Sequence, residues 1–262
     1  MLLTVIFTLA GLLGTAVTYG LCPCLSLWWA LLLIPAYYLA AVVVYIVWLF
    51  TAVLLTDGTD PSPRLKRFYQ WCEVHTMNWV LILLGVKYRL DGEEKIPTDR
   101  PYLLVCNHRS AFDPIATVAM FKRWNLCFVC KPEILRVPIL GPAMMRAGFF
   151  PIDRENPRKA VTAIKHAAEI IQKQGRSVGI YPEGTRNKDG GMLPFHAGSF
   201  KIAKMADCPV VVASVRVTNG LMYPRRVELH VLDVMEEDFV RENNTATLAQ
   251  RAQTTIREDL GI

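Results

Sequence analysis

The first 63 residues of this 262-residue chain contain no lysine and no arginine, and their only acids are Asp57 and Asp60. A cleaved signal peptide needs a basic n-region and a small-residue cleavage site, so the missing cations argue against cleavage. All 29 basic residues therefore lie in 64–262 against 21 acids, which gives that part a net charge of +8. The basic residues are spread among acids without interleaved aromatic motifs, which argues against a nucleic-acid binder. Cys127 and Cys130 form a C-x-x-C, but no second C-x-x-C or His pair completes a zinc site, so no metal is expected. Seven scattered cysteines, an odd number, read as reduced thiols in a cytoplasm-facing protein. No G-x-S-x-G elbow surrounds Ser110, which argues against a serine nucleophile. The chain has no internal repeat and no low-complexity tract.

What the chain has in excess is apolar residues, 52% of the total against the usual ~45–50%. Leu2 to Gly20 is an almost wholly apolar run, long enough to cross a ~30 Å hydrocarbon core as a helix. Leu27 to Leu55 is a second run, which at ~1.5 Å per residue extends ~43 Å. Tilt, a kink near Pro35 or an interfacial start would each absorb the excess. Two such helices joined by the short Cys22-Pro23-Cys24 break predict a hairpin. Arg64, Lys66 and Arg67 follow it at once, so the positive-inside tendency places residue 64 onward in the cytoplasm. The expected location is a cell inner membrane or another cytoplasm-facing membrane. Two prolines mark Thr56 to Pro63 as a linker. The expected division is an anchor over 1–63 and a catalytic domain over 64–262. Phe68 to Leu84 reads either as a helix lying on the membrane surface or as a core helix of that domain.

From Gly85 onward, short strands alternate with helices. Strands are expected at Val86–Leu90, Tyr102–Cys106, Leu126–Cys130, Ser177–Tyr181, Pro209–Val215 and Val227–Val231. Helices are expected at Phe112–Lys122, Ile139–Arg146, Pro157–Gln174, Ser199–Met205 and Thr245–Ile256. Val161, Ile164, Ala168 and Ile171 give the helix at Pro157–Gln174 one buried face. The fold class is thus α/β: a mixed or mostly parallel sheet flanked by helices, with an N-terminal two-helix membrane anchor.

The segment Asn107-His108-Arg109-Ser110-Ala111-Phe112-Asp113-Pro114 directly follows an apolar strand, where α/β folds display reactive groups. A histidine can accept a proton near neutral pH, and it does so best when a carboxylate holds its second ring nitrogen. Asp113 is close enough in sequence to fold back onto His108, which supplies a base and its orienter. Asp113 before Pro114 also reads as a plain helix cap. A second segment, Pro182-Glu183-Gly184-Thr185-Arg186, follows another strand. It offers glycine freedom, exposed N–H groups and a guanidinium, the makings of an anion site. Gly148-Phe149-Phe150-Pro151-Ile152-Asp153-Arg154 ends in a further arginine, and Pro209 to Ser214 is a fourth, apolar block.

In order and spacing, these four blocks resemble the motifs of the glycerolipid acyltransferases, and most of all the 1-acyl-sn-glycerol-3-phosphate (lysophosphatidate) acyltransferases. The resemblance covers about residues 85–215. It implies that His108 deprotonates the sn-2 hydroxyl of lysophosphatidate while Asp113 orients it. It also implies direct acyl transfer from a thioester whose thiol leaves as coenzyme A or acyl carrier protein, without a cofactor. Arg154, Glu183, Gly184, Thr185 and Arg186 fall at the family's positions for the acceptor phosphate and its loop. Lys131 matches a basic position and is a candidate phosphate contact. The loop at Gly184 is the expected source of oxyanion donors. The apolar fourth block is expected to line the acyl channel or support the core. His196 departs from the pattern, in which a lysine more commonly follows the phenylalanine. The phospholipid bilayer is the implied partner. Two other readings carry distinct expectations: acylation of glycerol 3-phosphate or another lysophospholipid, and a non-catalytic membrane lipid-binding module.

Overall fold

The computed structural model describes residues 1–56, 62–121, 126–152, 157–187, 191–219 and 224–262. The two apolar runs form α1 (Leu2–Leu21) and α2 (Ala30–Leu55), the second entered through a single 3-10 turn at Leu27–Trp29. Pro35 lies inside α2 near its start. The helices approach closely because glycines face their seam. A Cβ on Gly11 would stand 2.9 Å from the Ile34 carbonyl oxygen, and one on Gly14 would enter the Tyr37 ring. Outward, the pair presents Leu13, Val17, Val44 and Leu54, each more than 60% exposed. So large a contiguous apolar surface is disfavoured in water and suits lipid. The chain is membrane-associated.

The third helix, α3 (Pro63–Leu83), begins five residues before the expected Phe68. The Ser62 hydroxyl caps it by accepting from Leu65 N at 3.3 Å, and Pro63 takes the first-turn position where its missing N–H is harmless. The expected linker therefore ends at Ser62, and its residues 57–61 lie outside the described residues. Of the two alternatives foreseen for this helix, the structure shows the core helix of the domain. Tyr69, Cys72, Glu73 and Leu81 are buried in the domain. On its other side Trp79 Nε1 donates to Tyr38 OH (2.8 Å), and Phe7 packs edge-on against the Trp79 ring. A second weld is Arg146, at the end of α5 (Leu140–Arg146). Its guanidinium donates to the carbonyls of Val53 (2.8 Å) and Thr56 (2.6 Å) and to Thr56 Oγ1 (2.9 Å), so the domain itself caps the end of α2.

Among the described residues the domain has seven strands: β1 (Lys87–Asp91), β2 (Leu103–Cys106), β3 (Cys127–Cys130), β4 (Phe150–Pro151), β5 (Val178–Ile180), β6 (Val210–Thr218) and β7 (Arg226–Met235). Their order is β1-β7-β6-β2-β5-β3-β4. The run from β6 to β4 is parallel, β6 meets β7 antiparallel, and β7 pairs parallel with β1. A mixed, mostly parallel sheet is what the alternation of strands and helices foretold. Every residue of β2 and the first six of β6 are buried, and each such Val or Leu contributes roughly 1.5–3 kcal/mol. The remaining helices are α4 (Phe112–Met120), α6 (Pro157–Gln174), α7 (Lys201–Ala206), α8 (Glu237–Glu242) and α9 (Thr245–Leu260).

Some boundaries differ for physical reasons. β6 runs beyond the expected 209–215 because it pairs antiparallel past the buried zone, carrying exposed Arg216, and β7 runs beyond 227–231 at both ends, from exposed Arg226 to buried Met235 opposite Val210. The segment expected as helix from Ser199 is a 3-10 turn until Phe200, with α7 following. The short polar α8 has no apolar period to announce it.

Candidate active site

β2 delivers the first candidate residue. Asn107, fully buried, exchanges two bonds with Val215 on β6: its Nδ2 donates to the carbonyl at 3.0 Å, and the Val215 N–H donates to its Oδ1 at 2.6 Å. The chain thus leaves the sheet in a fixed direction, and His108 is the first residue beyond. α4 begins at Phe112, so Asp113 lies in its first turn and is not the cap expected before Pro114. Its buried carboxylate turns back over the loop. Oδ2 stands 2.9 Å from His108 Nδ1 and accepts the N–H groups of Arg109 (2.6 Å) and Ser110 (2.7 Å). Those bonds hold the carboxylate where only an Nδ1–H can meet it, which leaves the lone pair on Nε2. The imidazole is 17% exposed, and Nε2 meets no partner among the described residues. An oriented, accessible imidazole with a buried carboxylate behind it can withdraw a proton from a hydroxyl.

The Pro182–Arg186 loop is tied to the same residue. Glu183 is buried, and its two oxygens accept the N–H groups of His108 and Leu193, both at 2.7 Å. The Asn187 N–H donates in turn to the His108 carbonyl at 3.2 Å. His108 is therefore clamped on both sides of its peptide by one loop. Burial pushes the Glu183 carboxyl above the usual range, against the pull of the two N–H bonds. Each Glu183 oxygen thus meets one backbone N–H, which ties the loop to His108. Gly184 adopts the left-handed φ of 79° that its residue type permits, and its N–H donates to Tyr181 O at 3.1 Å. Within the loop expected to supply oxyanion donors, that N–H is therefore taken. The N–H groups of Thr185 and Arg186 find no acceptor among the described residues, and both residues are exposed.

His108, Asp113, Glu183 and Gly184 thus come together, with Thr185 and Arg186 on the surface above them. Lys131 is exposed just past β3, which lies two strands from β2 at the same end of the parallel run. Arg154 lies outside the described residues. His196 donates its N–H to Pro182 O (2.9 Å) and lines a cavity of about 220 Å³ beside Tyr181 and Gly184, floored by Ile152, Ala160, Ile164 and Ile180. The fourth block supports the core: Val210 to Ser214 are wholly buried. Sequence reasoning missed Asn107, Thr117 and Tyr181. Asn107 carried a faint signal, a polar residue at the end of a buried strand. Tyr181 read only as the strand's last apolar residue.

A family model described as Acyltransferase matches residues 87–216, the stretch carrying all these groups. A chloroplastic 1-acyl-sn-glycerol-3-phosphate acyltransferase of Brassica napus is 35% identical over 147 residues, covering 55% of this chain and 42% of the relative. The 1-acyl-sn-glycerol-3-phosphate acyltransferase alpha of Ovis aries is 33% identical over 183 residues, covering 65% of this chain and 62% of the relative. The chain thus spans about half the length of the curated relatives it matches. In fold it is similar to the crystal structure of the 1-acyl-sn-glycerophosphate (LPA) acyltransferase PlsC from Thermotoga maritima, with a TM-score of 0.66 at 20% identity, over 84% of this chain and 90% of that one. The matched stretch and the clustered motifs within it lead to one assignment: this chain belongs to the acyltransferase family.

Proposed function

We propose that this chain transfers a fatty acyl group from a thioester to the sn-2 hydroxyl of 1-acyl-glycerol 3-phosphate, forming phosphatidic acid. The observation that carries the reading is the His108–Asp113 pair, with Nε2 open and Arg186 on the adjoining loop. Nε2 takes the hydroxyl proton as the oxygen attacks the thioester carbon. The C–S bond then breaks, and the imidazolium returns the proton to the departing thiolate of coenzyme A or acyl carrier protein. A general base supplies ~10²–10⁴ in rate, so positioning must supply more. Arg186 holds the acceptor phosphate, since a guanidinium meets phosphate oxygens in pairs. Lys131 adds positive charge toward it, and the resemblance assigns Arg154, outside the described residues, to the same phosphate. The free N–H groups of Thr185 and Arg186 serve the oxyanion. Thr185 and Gly184 shape the loop.

Placement at a membrane supports a lipid acceptor. The Met1 amino group and the Tyr88 hydroxyl both donate to Asn78 Oδ1, at 3.2 and 2.8 Å. Tyr88 pairs with Val227, Val227 with Val217, and Val215 binds Asn107. The start of the hairpin and the imidazole therefore share one end of the sheet. The hairpin enters from the cytoplasmic side of an inner or other cytoplasm-facing membrane, with Arg64, Lys66 and Arg67 at its base. The proposed division is an anchor over 1–63 and an acyltransferase domain over 64–262.

Purified protein assayed with one acyl-CoA against an acceptor panel tests the assignment. Turnover is expected to be highest with lysophosphatidate. Equal or better turnover with a phosphate-free acceptor, or preference for glycerol 3-phosphate, would reject this acceptor.

A further inference from the structure

Four rings form a column across the sheet, with the candidate base at its head. The His108 and Tyr181 rings stack with centroids 4.4 Å apart and planes 22° apart. Tyr181 stacks in turn on Phe128, at 5.6 Å and 13°, and Phe128 leans on Phe149 at 6.3 Å. The column follows the strand order: His108 lies just past β2, Tyr181 just past β5, Phe128 within β3 and Phe149 just before β4. Gly179 makes room for it. On β5 it pairs with Phe128, and a Cβ there would stand 2.3 Å from that ring. The Phe128 ring therefore lies directly over the β5 backbone, flat behind Tyr181. The far end of Tyr181 is fixed as well. The Thr117 hydroxyl donates to Asp113 O at 2.7 Å, so the Tyr181 hydroxyl is the donor in its 3.3 Å contact with Thr117 Oγ1. The helix that carries the carboxylate thus also holds the stacked ring.

The Asp113 contact fixes one nitrogen of the imidazole. Rotation of the ring about that contact remains, and it would swing Nε2 away from a bound hydroxyl. A flat face stacked on the imidazole removes that freedom. Tyr181 is not a rival base, because burial pushes its phenol well above the usual tyrosine value. We propose that Tyr181 is a positioning residue for His108: its face, backed by Phe128 seated over Gly179, sets the imidazole plane so that Nε2 points at the acceptor hydroxyl. This rests on the acyl-transfer reading given above.

The test measures kcat and KM for lysophosphatidate with acyl-CoA in wild type, Tyr181→Phe, Tyr181→Leu, Gly179→Ala, Phe149→Leu and His108→Ala, with a melting curve for each. Tyr181→Phe keeps the face and is expected within about threefold of wild-type kcat. Tyr181→Leu is expected to lose about tenfold or more in kcat with KM changed less than about twofold, as misorientation of a catalytic group does. Gly179→Ala, which displaces Phe128, is expected to lower kcat several-fold in the same pattern. Phe149→Leu loosens the same core at the column's far end and is expected to lower the melting temperature while keeping kcat. The proposal is overturned by wild-type kcat in Tyr181→Leu, by a fall in Tyr181→Phe as large as in Tyr181→Leu, or by an equal fall in Phe149→Leu. If Tyr181→Leu does not fold, unchanged kcat in Gly179→Ala overturns it. Full activity in His108→Ala would instead remove the acyl-transfer reading itself.

Discussion

Replacing Glu183 by glutamine changes one atom and separates two accounts of that residue. The carboxyl group presents an acceptor lone pair on each oxygen, and the structure uses both, for the N–H groups of His108 and Leu193 at 2.7 Å. This holds in either protonation state, which matters because burial pushes the group upward. Glutamine has one acceptor. Its amide nitrogen must face the second N–H, donor against donor, inside a site where Glu183 is 3% exposed. A buried donor left unpaired costs about 1–3 kcal/mol. At roughly 2–4 °C per kcal/mol for a domain of this size, the melting temperature should fall by about 2–12 °C. Since one of the two N–H groups belongs to His108, kcat should fall by about tenfold or more, with little change in KM for lysophosphatidate. Differential scanning fluorimetry in detergent and steady-state turnover read both quantities. An unchanged melting temperature together with a raised acceptor KM would refute the reasoning and return Glu183 to the acceptor phosphate.

Arg186→Ala should leave stability unchanged and raise the lysophosphatidate KM by roughly 10- to 100-fold, as expected for a charged hydrogen bond worth ~1.5–3 kcal/mol; acceptor titrations measure it. Arg146→Met removes the guanidinium from the carbonyls of Val53 and Thr56, and the melting temperature should drop by several degrees, consistent with ~2–4 kcal/mol for unpaired buried acceptors; an unchanged curve would contradict the weld between domain and α2. Glu73 is buried in α3 and its carboxyl is pushed well above the usual range by loss of water, with Arg176 pulling it back only in part. Between the ordinary glutamate value and the raised one, the unfolded chain has released its proton and the folded chain has not, so stability falls as pH rises through that window and levels off above it. Melting temperatures across pH 4.5 to 8, compared between wild type and Glu73→Ala, should show this decline in wild type and its reduction in the variant.

Much of the fold was legible where one physical signal dominated. The uncharged head foretold the hairpin, the alternation of strands and helices foretold the mostly parallel sheet, and the spacing of Ile164, Ala168 and Ile171 foretold α6, although Val161, expected on the same buried face, is 47% exposed at the first turns of the helix. Signals failed where two competed. Ser62 and Pro63 read as linker because turn residues and helix caps are the same residues, and only the Leu65 N–H bond shows which role they take. The tail of β6 hid because antiparallel pairing continues into solvent, where alternation no longer tracks burial. The site was legible in its charges and not in its framework. The contact of Asp113 with His108 was one of two readings of that segment, beside a plain helix cap, and the structure shows the contact. The two backbone bonds of Glu183, a residue grouped with the acceptor contacts, were not legible, because a sequence shows a carboxylate but not the N–H groups it faces. Tyr181 was missed for the same reason: its place over the imidazole depends on a missing Cβ two residues back and a phenylalanine two strands away in the sequence.

The most direct measurement of the central claim is acyl transfer to lysophosphatidate by the purified, detergent-solubilised protein and by its His108→Ala variant, with vesicle binding followed in parallel. The variant should lose at least ~10² in turnover while binding vesicles as the wild type does. Equal turnover in the two proteins would mean that the proton is drawn by some other group, and the account of the site would fail.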